Sequence, residues 1–225
     1  MKSAVTPLSE IRESITRTCQ VASRKPDITL IAVSKTHPAE RIVPLLEQGH
    51  RVFGENRVQE TQEKWGDLLE RFPDTELHLV GQLQSNKAEE AVDWFDCIHS
   101  LDRPSLVKAL AKAMDKADRR VPCFIQVNIG AEDQKGGCAI ADLPDLLKQA
   151  RDANIPLAGL MCVPPVGIEP APFFALLDKL ARDNGLSEQD GGGLSMGMSS
   201  DYETAIMLGA THIRVGSALF GEREG

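Results

Sequence analysis

Lys35 ends a short apolar run, Thr29-Leu-Ile-Ala-Val-Ser34, and is followed by Thr36-His37-Pro38. An amine at such a strand end is partly withdrawn from water. That favours its neutral form, which attacks carbonyl carbons to form a Schiff base. The same lysine reaching out to solvent would carry no chemistry. Arg214 lies between Ile213 and Val215 inside a second apolar run. A guanidinium buried there needs a partner, either a carboxylate such as Glu55 or Asp201 or a bound ligand. Two turns of small residues follow late strand candidates: Gly197-Met198-Ser199-Ser200 and Gly216-Ser217. Small side chains let backbone N–H groups close on an anion, so these turns suit a phosphate. Ser200-Asp-Tyr-Glu203 also has capping-box spacing, which accounts for Ser200 but not for glycines and serines grouped on two turns.

The elements that must position these groups follow from periodicity. Residues 7–23 read as an amphipathic helix: Thr6 caps it, Pro7 takes the first position, and Leu8, Ile11, Ile15 and Cys19 form one stripe. Strand candidates then begin at Thr29, Arg51, Glu76, Cys97, Cys123, Pro156, Gly193 and His212. Helical segments separate them over 38–48 (with Pro44 placed to kink it), to about 72, then over 85–93, 104–117, 141–153, 171–182 and 201–208. The mean strand spacing is about 26 residues, enough for a compact βα unit. Eight such units close most simply into a (β/α)8 TIM barrel, here with an extra N-terminal helix, occupying 1–225 as one domain. A doubly wound open sheet is the rival, but it usually has fewer strands and a phosphate-binding glycine turn after the first. In the barrel, reactive groups gather at the carboxyl ends of strands, where phosphate often sits after strands seven and eight.

Other chemistries find little support. The histidines at 37, 50, 78, 99 and 212 show no metal-ligand spacing, so no dedicated metal site is expected. No G-x-S-x-G elbow or Walker loop is present. Lys108, Lys112 and Lys116 follow helical spacing and read as a solvated face. The chain has 225 residues, 25 Lys and Arg against 33 Asp and Glu, and a net charge of −8. That balance argues against nucleic acid or an anionic membrane as partner. No apolar stretch reaches the length of a membrane span, and Met1 to Pro7 lacks the apolar core of a signal peptide. Five scattered cysteines, none in C-x-x-C spacing, suit buried reduced thiols in a cytoplasmic protein.

Six segments in order resemble one family. They are Ala32-Val-Ser-Lys-Thr36, Phe53-Gly-Glu-Asn-Arg-Val-Gln-Glu60, His78-Leu-Val-Gly-Gln-Leu-Gln-Ser-Asn-Lys87, Gly159-Leu-Met161, Leu194-Ser-Met-Gly-Met-Ser-Ser-Asp201 and Ile213-Arg-Val-Gly-Ser-Ala-Leu-Phe-Gly221. Together they resemble the pyridoxal-phosphate homeostasis proteins, barrels similar to the amino-terminal domain of alanine racemase. The resemblance implies that Lys35 forms the internal aldimine with pyridoxal 5′-phosphate (PLP). It makes Met198, Ser199, Ser200, Gly216 and Ser217 the phosphate cradle and sets Arg214 against the pyridine nitrogen. Asn56 and His78 fall on motif positions lining the cofactor side. Gln82, where many relatives have proline, and Lys135-Gly-Gly137, in place of a lysine-serine-glycine turn, are departures confined to loops.

The expected function is reversible PLP binding for intracellular homeostasis, by buffering or by delivery to PLP-dependent apo-enzymes, without efficient catalysis. A small amino-acid racemase is the alternative. Racemization needs two bases on opposite faces of the cofactor, and alanine racemase takes one, a tyrosine, from a second domain of its partner subunit. Tyr202, the one tyrosine here, reads as the first turn after strand seven. A class I aldolase also uses a barrel lysine, usually on a later strand, and Gly159-Leu-Met-Cys-Val163 holds none. A monomer is expected, since the racemase dimer contact comes from the second domain.

Overall fold

The computed structural model describes residues 6–221. Its strands are β1 (Thr29–Val33), β2 (Val52–Glu55), β3 (Glu76–Leu79), β4 (Cys97–Leu101), β5 (Cys123–Gln126), β6 (Leu157–Met161), β7 (Gly193–Ser195) and β8 (His212–Val215). All pair in parallel, each with the next in chain order, and β8 returns to β1 through Thr29↔His212 to Ala32↔Val215. The ring is therefore closed, as the even strand spacing implies. The helices are α1 (Pro7–Val21), α2 (Ala39–Glu47), α3 (Val58–Arg71), α4 (Ala88–Trp94), α5 (Pro104–Ala117), α6 (Leu143–Asp152), α7 (Ala171–Asp183), α8 (Tyr202–Met207) and α9 (Ser217–Phe220).

Just beyond the strand ends, Ser34, Val80, Val127, Cys162 and Met196 still donate a backbone N–H to the neighbouring strand, and the loops of the barrel mouth begin there. α9 has no counterpart in the sequence pattern, because four residues are too few to show a period. The helical segments expected at 85 and 141 open with 3-10 turns, Ser85–Lys87 and Ile140–Asp142, before α4 and α6. α2 runs across Pro44 without a break, forgoing one backbone hydrogen bond there.

α1 forms as its caps dictate. Thr6 Oγ1 accepts from Ser9 N at 3.2 Å, Thr6 N donates to Ser9 Oγ at 2.9 Å, and Pro7 occupies the first turn. Its buried stripe of Leu8, Ile11, Ile15 and Cys19 packs beside α8. Ser14 Oγ donates to Glu203, and Arg24 donates to the carbonyls of Ile206 and Ala210 at 2.7 and 2.9 Å. The N-terminal helix thus braces α8, which lies between the two turns that contribute to the site.

Side chains alternate along each strand and so divide into two sets. One set, including Ala32, Phe53, Leu77, Ile98, Leu160 and Ile213, joins the main core between sheet and helices. The other faces the barrel interior. There Cys97, Phe124 and Met161 form a small apolar cluster. His78, His99, Ser195 and Arg214 are buried on the same inner positions of β3, β4, β7 and β8. A barrel interior is ordinarily filled by branched aliphatics. A polar sector on four strands departs from that and requires hydrogen-bond partners for every group.

Candidate functional site

A cavity of about 460 Å³ opens at the carboxyl ends of the strands. Lys35 enters it from the turn after β1, Asn56 from the loop after β2, and Arg214 from β8. Met198, Ser199 and Ser200 come from the turn after β7, and Gly216 and Ser217 from the turn after β8. Eight of the nine residues singled out in the sequence therefore meet in one place. His78 does not. It is the next-to-last residue of β3, among the inner histidines, and Val80, two residues further on, lines the cavity instead. Its motif position is shared with the cofactor side, but the pleat carries its ring down toward the amino-terminal end.

Lys35 sits on a turn that is held from below. Lys64, on α3, is 8% exposed along its side chain and ion-pairs with Glu55 Oε1 at 2.7 Å; the Glu55 side chain is wholly buried. Its ammonium also donates to Ser34 O at 2.9 Å, to His37 O at 3.2 Å and to Glu60 Oε1 at 3.1 Å. Glu55 Oε1 accepts from Ser34 Oγ at 2.6 Å and from Trp65 Nε1 at 3.0 Å. Thr36 takes φ +65°, an uncommon conformation for a β-branched residue, and its N–H donates to Glu60 Oε1 at 2.5 Å. Lys64 and Glu60 so clasp both sides of the turn that presents Lys35. In sequence they read as an ordinary i, i+4 surface pair on a helix, which is why they were missed. His37 also lines the cavity, its ring stacked on Phe220 at 4.9 Å.

Arg214 is 5% exposed, and burial lowers its pKa from the ordinary guanidinium value. Neither Glu55 nor Asp201 pairs with it, contrary to the ion pair considered from sequence. Glu55 serves Lys64, and Asp201 Oδ1 accepts from Met198 N at 2.6 Å. Arg214 donates instead to Ser195 Oγ at 2.7 Å and to Cys162 O at 2.8 Å.

The two small-residue turns are tied together. Ser199 Oγ accepts from the N–H of Gly216 and of Ala218, both at 3.3 Å. Gly197 has φ +92°, and a Cβ there would lie 2.6 Å from Ala205 Cβ, so glycine is required where the turn passes over α8. The capping box considered for Ser200 does not form: Asp201 holds the N-cap position of α8 without a side-chain cap bond, and Glu203 accepts from Ser14 instead. Gly81 makes a similar close approach on the other rim, where a Cβ would fall 2.3 Å from Asn56 O.

His78, Cys97 and His99 lie with one ligand atom each within 4.8 Å of one another, a grouping that chain spacing did not show. The two rings are hydrogen-bonded to each other, His78 Nδ1 to His99 Nε2 at 2.9 Å. Burial pushes the Cys97 thiol up to about 12. All five cysteines are buried and none is bridged.

A primary amine, a buried guanidinium and three serines on two small-residue turns thus line one cavity. These are the donors that a compound with an aldehyde, a ring nitrogen and a phosphate would require.

Comparison with known proteins agrees with this geometry. Residues 7–224 match the family of the alanine racemase N-terminal domain. A pyridoxal phosphate homeostasis protein of Aquifex aeolicus is 38% identical, over 96% of this chain and 97% of the relative. One from Escherichia coli K12 is 36% identical, over 96% and 95%. The structure of PipY from Synechococcus elongatus with PLP bound superposes with a TM-score of 0.82 at 38% identity, over 94% of this chain and all of that one. Alanine racemase of Clostridium difficile shares the fold alone, with a TM-score of 0.69 at 15% identity, over 96% of this chain and 57% of that one. The chain belongs to the alanine racemase N-terminal domain family and, within it, to the pyridoxal phosphate homeostasis proteins.

Proposed function

We propose that the protein binds PLP reversibly at the mouth of the barrel and serves PLP homeostasis, holding the cofactor on Lys35 and releasing it, to apo-enzymes among others, without efficient turnover. The carrying observation is the convergence of Lys35, Arg214, Ser199, Ser200, Gly216 and Ser217 on one cavity of about 460 Å³. Family membership and the PLP-bound PipY relative support the choice of ligand.

When bound, PLP supplies an aldehyde that a lysine amine can capture covalently and a ring that can take up electrons. Lys35 Nζ is the group that would form the carbon–nitrogen bond, with loss of one water. Ser199, Ser200, Ser217 and the N–H groups of the last turn would hold the phosphate. Arg214 would face the ring nitrogen. A guanidinium donates but does not give up its proton, so that nitrogen stays unprotonated and the ring is a weaker electron sink.

The absence of efficient turnover is part of the proposal. Tyr202, the one tyrosine, packs against the hydrophobic core from the first turn of α8 and does not line the cavity. A racemase-like second base is therefore not supplied by that side chain. The unbridged thiols support a reducing, cytoplasmic setting. A monomer is proposed as the working form.

Two assays on the purified protein test the proposal together. PLP is expected to bind saturably at one per chain, and pyridoxal without the phosphate about 100-fold more weakly, as expected when charge-assisted bonds to the phosphate are lost. L-Alanine incubated with the loaded protein is expected to racemize no faster than with free PLP. Equal binding of pyridoxal would remove the phosphate cradle, and a saturable racemization abolished by Lys35→Ala would replace homeostasis by catalysis.

A further inference from the structure

Ser195 joins two parts of the barrel. On one side it accepts from Arg214 Nη1 at 2.7 Å. On the other its Oγ lies 2.8 Å from His99 Nδ1. His99 Nε2 lies 2.9 Å from His78 Nδ1, and His78 Nε2 faces Glu76 Oε2 at 3.8 Å. Ser195 and His99 are fully buried and His78 nearly so, whereas the Glu76 side chain is 62% exposed at the start of β3. A polar line thus runs from the cavity, through the barrel interior, to solvent at the opposite rim.

Its two ends set one direction. A guanidinium only donates, so Ser195 Oγ accepts there and has a single hydrogen to give to His99 Nδ1. A neutral His99 accepting at Nδ1 carries its proton on Nε2 and donates it to His78 Nδ1. His78 then turns Nε2–H toward Glu76, and a carboxylate only accepts. The reverse order would aim two donors at Ser195, leave its hydroxyl hydrogen without that acceptor, and set a bare nitrogen against the Glu76 carboxylate. Links that all point one way polarise and strengthen one another. Phe124 stacks on His99 at 4.5 Å, and burial holds the His99 pKa well below the ordinary imidazole value.

Among the described contacts, Arg214 is held by a hydroxyl and a carbonyl, not by a carboxylate. A carboxylate in contact would compete with a ligand for the guanidinium. Neutral groups in a chain hold it in place while directing the compensating dipoles toward the distant Glu76.

We infer that Ser195, His99 and His78 are positioning residues, which hold Arg214 at the cavity through a one-way hydrogen-bond relay whose far end faces the Glu76 carboxylate. What Arg214 faces rests on the PLP binding proposed above; the relay itself belongs to the protein without cofactor.

Side-chain 15N NMR of the apo protein at pH 7 reads the relay directly. His78 and His99 are expected to be neutral, both with the proton on Nε2. An Nδ1–H tautomer or an imidazolium at either position would overturn the relay. In Ser195→Ala the His99 Nδ1 resonance should shift to that of an unbonded nitrogen. PLP affinity should fall about tenfold, the size of one lost hydrogen bond to a charged group, while Ser195→Thr keeps both near wild type. An unchanged His99 spectrum and PLP affinity in Ser195→Ala would contradict the positioning role. Tight zinc binding by His78, Cys97 and His99 would do so too, because the metal takes the lone pairs the relay uses. If wild type shows the expected tautomers but binds no PLP, the proposed function fails and the relay stands.

Discussion

Replacing Lys64 by methionine is expected to destabilise the protein by about 3–5 kcal/mol, the usual consequence of removing one partner of a buried ion pair. Lys64 neutralises Glu55, whose side chain is wholly buried, and donates to two carbonyls of the Lys35 turn. Without it, the Glu55 carboxylate keeps only the Ser34 hydroxyl and the Trp65 indole as donors. Its Oε2 has no hydrogen-bond partner even with Lys64 present. The loss should appear as a lower urea midpoint with unchanged slope, and as a melting point reduced by about 10 °C or more. The Lys35 turn would also lose its anchor, so PLP binding should weaken in whatever fraction remains folded. Glu55→Gln combined with Lys64→Met should recover part of the loss, since no charge is then left buried. A midpoint unchanged in Lys64→Met would mean that the pair is solvated and the turn is held by other contacts.

Acid should unfold the protein at unusually mild pH. His50 and His212 are lowered from 6.5 to about 4, and His99 is lowered well below 6.5, in each case chiefly by burial. Neighbouring charge adds to this: Arg12 and Arg51 face His50, Arg214 faces both His99 and His212, and Glu76 opposes the shift at His212. Each folded-state pKa is depressed, so the neutral form is favoured in the native protein. The unfolded chain then binds more protons between about pH 6.5 and 4. Stability from these groups is complete above 6.5 and is lost as pH falls toward 4. Each shift to about 4 corresponds to roughly 3 kcal/mol. Glu76 and Glu89, whose pKa values are lowered, withdraw their contributions only below about 4.5, so the histidine window stands apart. Urea titrations from pH 7.5 to 5 should show a steep decline, shallower by about one proton in His50→Gln. A flat profile over that interval would show that the inner histidines already carry protons in the native state.

The barrel was legible because βα spacing and apolar runs are local properties, and closure follows once eight units exist. The cavity was legible for the same reason: Lys35, Asn56, Ser199, Ser200, Arg214 and Ser217 lie at strand ends or in the loops that follow them, where such barrels place their sites. What escaped depends on contacts far apart in the chain. Lys64 reaches back 30 residues to Ser34, and Ser195 lies 96 residues from His99. No spacing rule links such pairs. For His78, the family resemblance implies the cofactor side, because its motif lies there. Counting back from the strand end, the pleat sets it beside His99 and leaves Val80 at the cavity. For Arg214 the sequence offers a carboxylate or a bound ligand as partner, the usual choices for a buried cation. The structure uses a serine whose hydroxyl is itself engaged by a histidine.

The most direct test of the account is the visible absorption spectrum of wild type and Lys35→Ala after addition of PLP and removal of the excess. The wild type should retain a yellow band, and borohydride should fix the cofactor on the peptide carrying Lys35. Lys35→Ala should remain colourless, although Arg214 and the two serine turns are intact. A band of equal intensity in both proteins, or borohydride label on another lysine, would contradict the assignment of Lys35 as the residue that carries the cofactor.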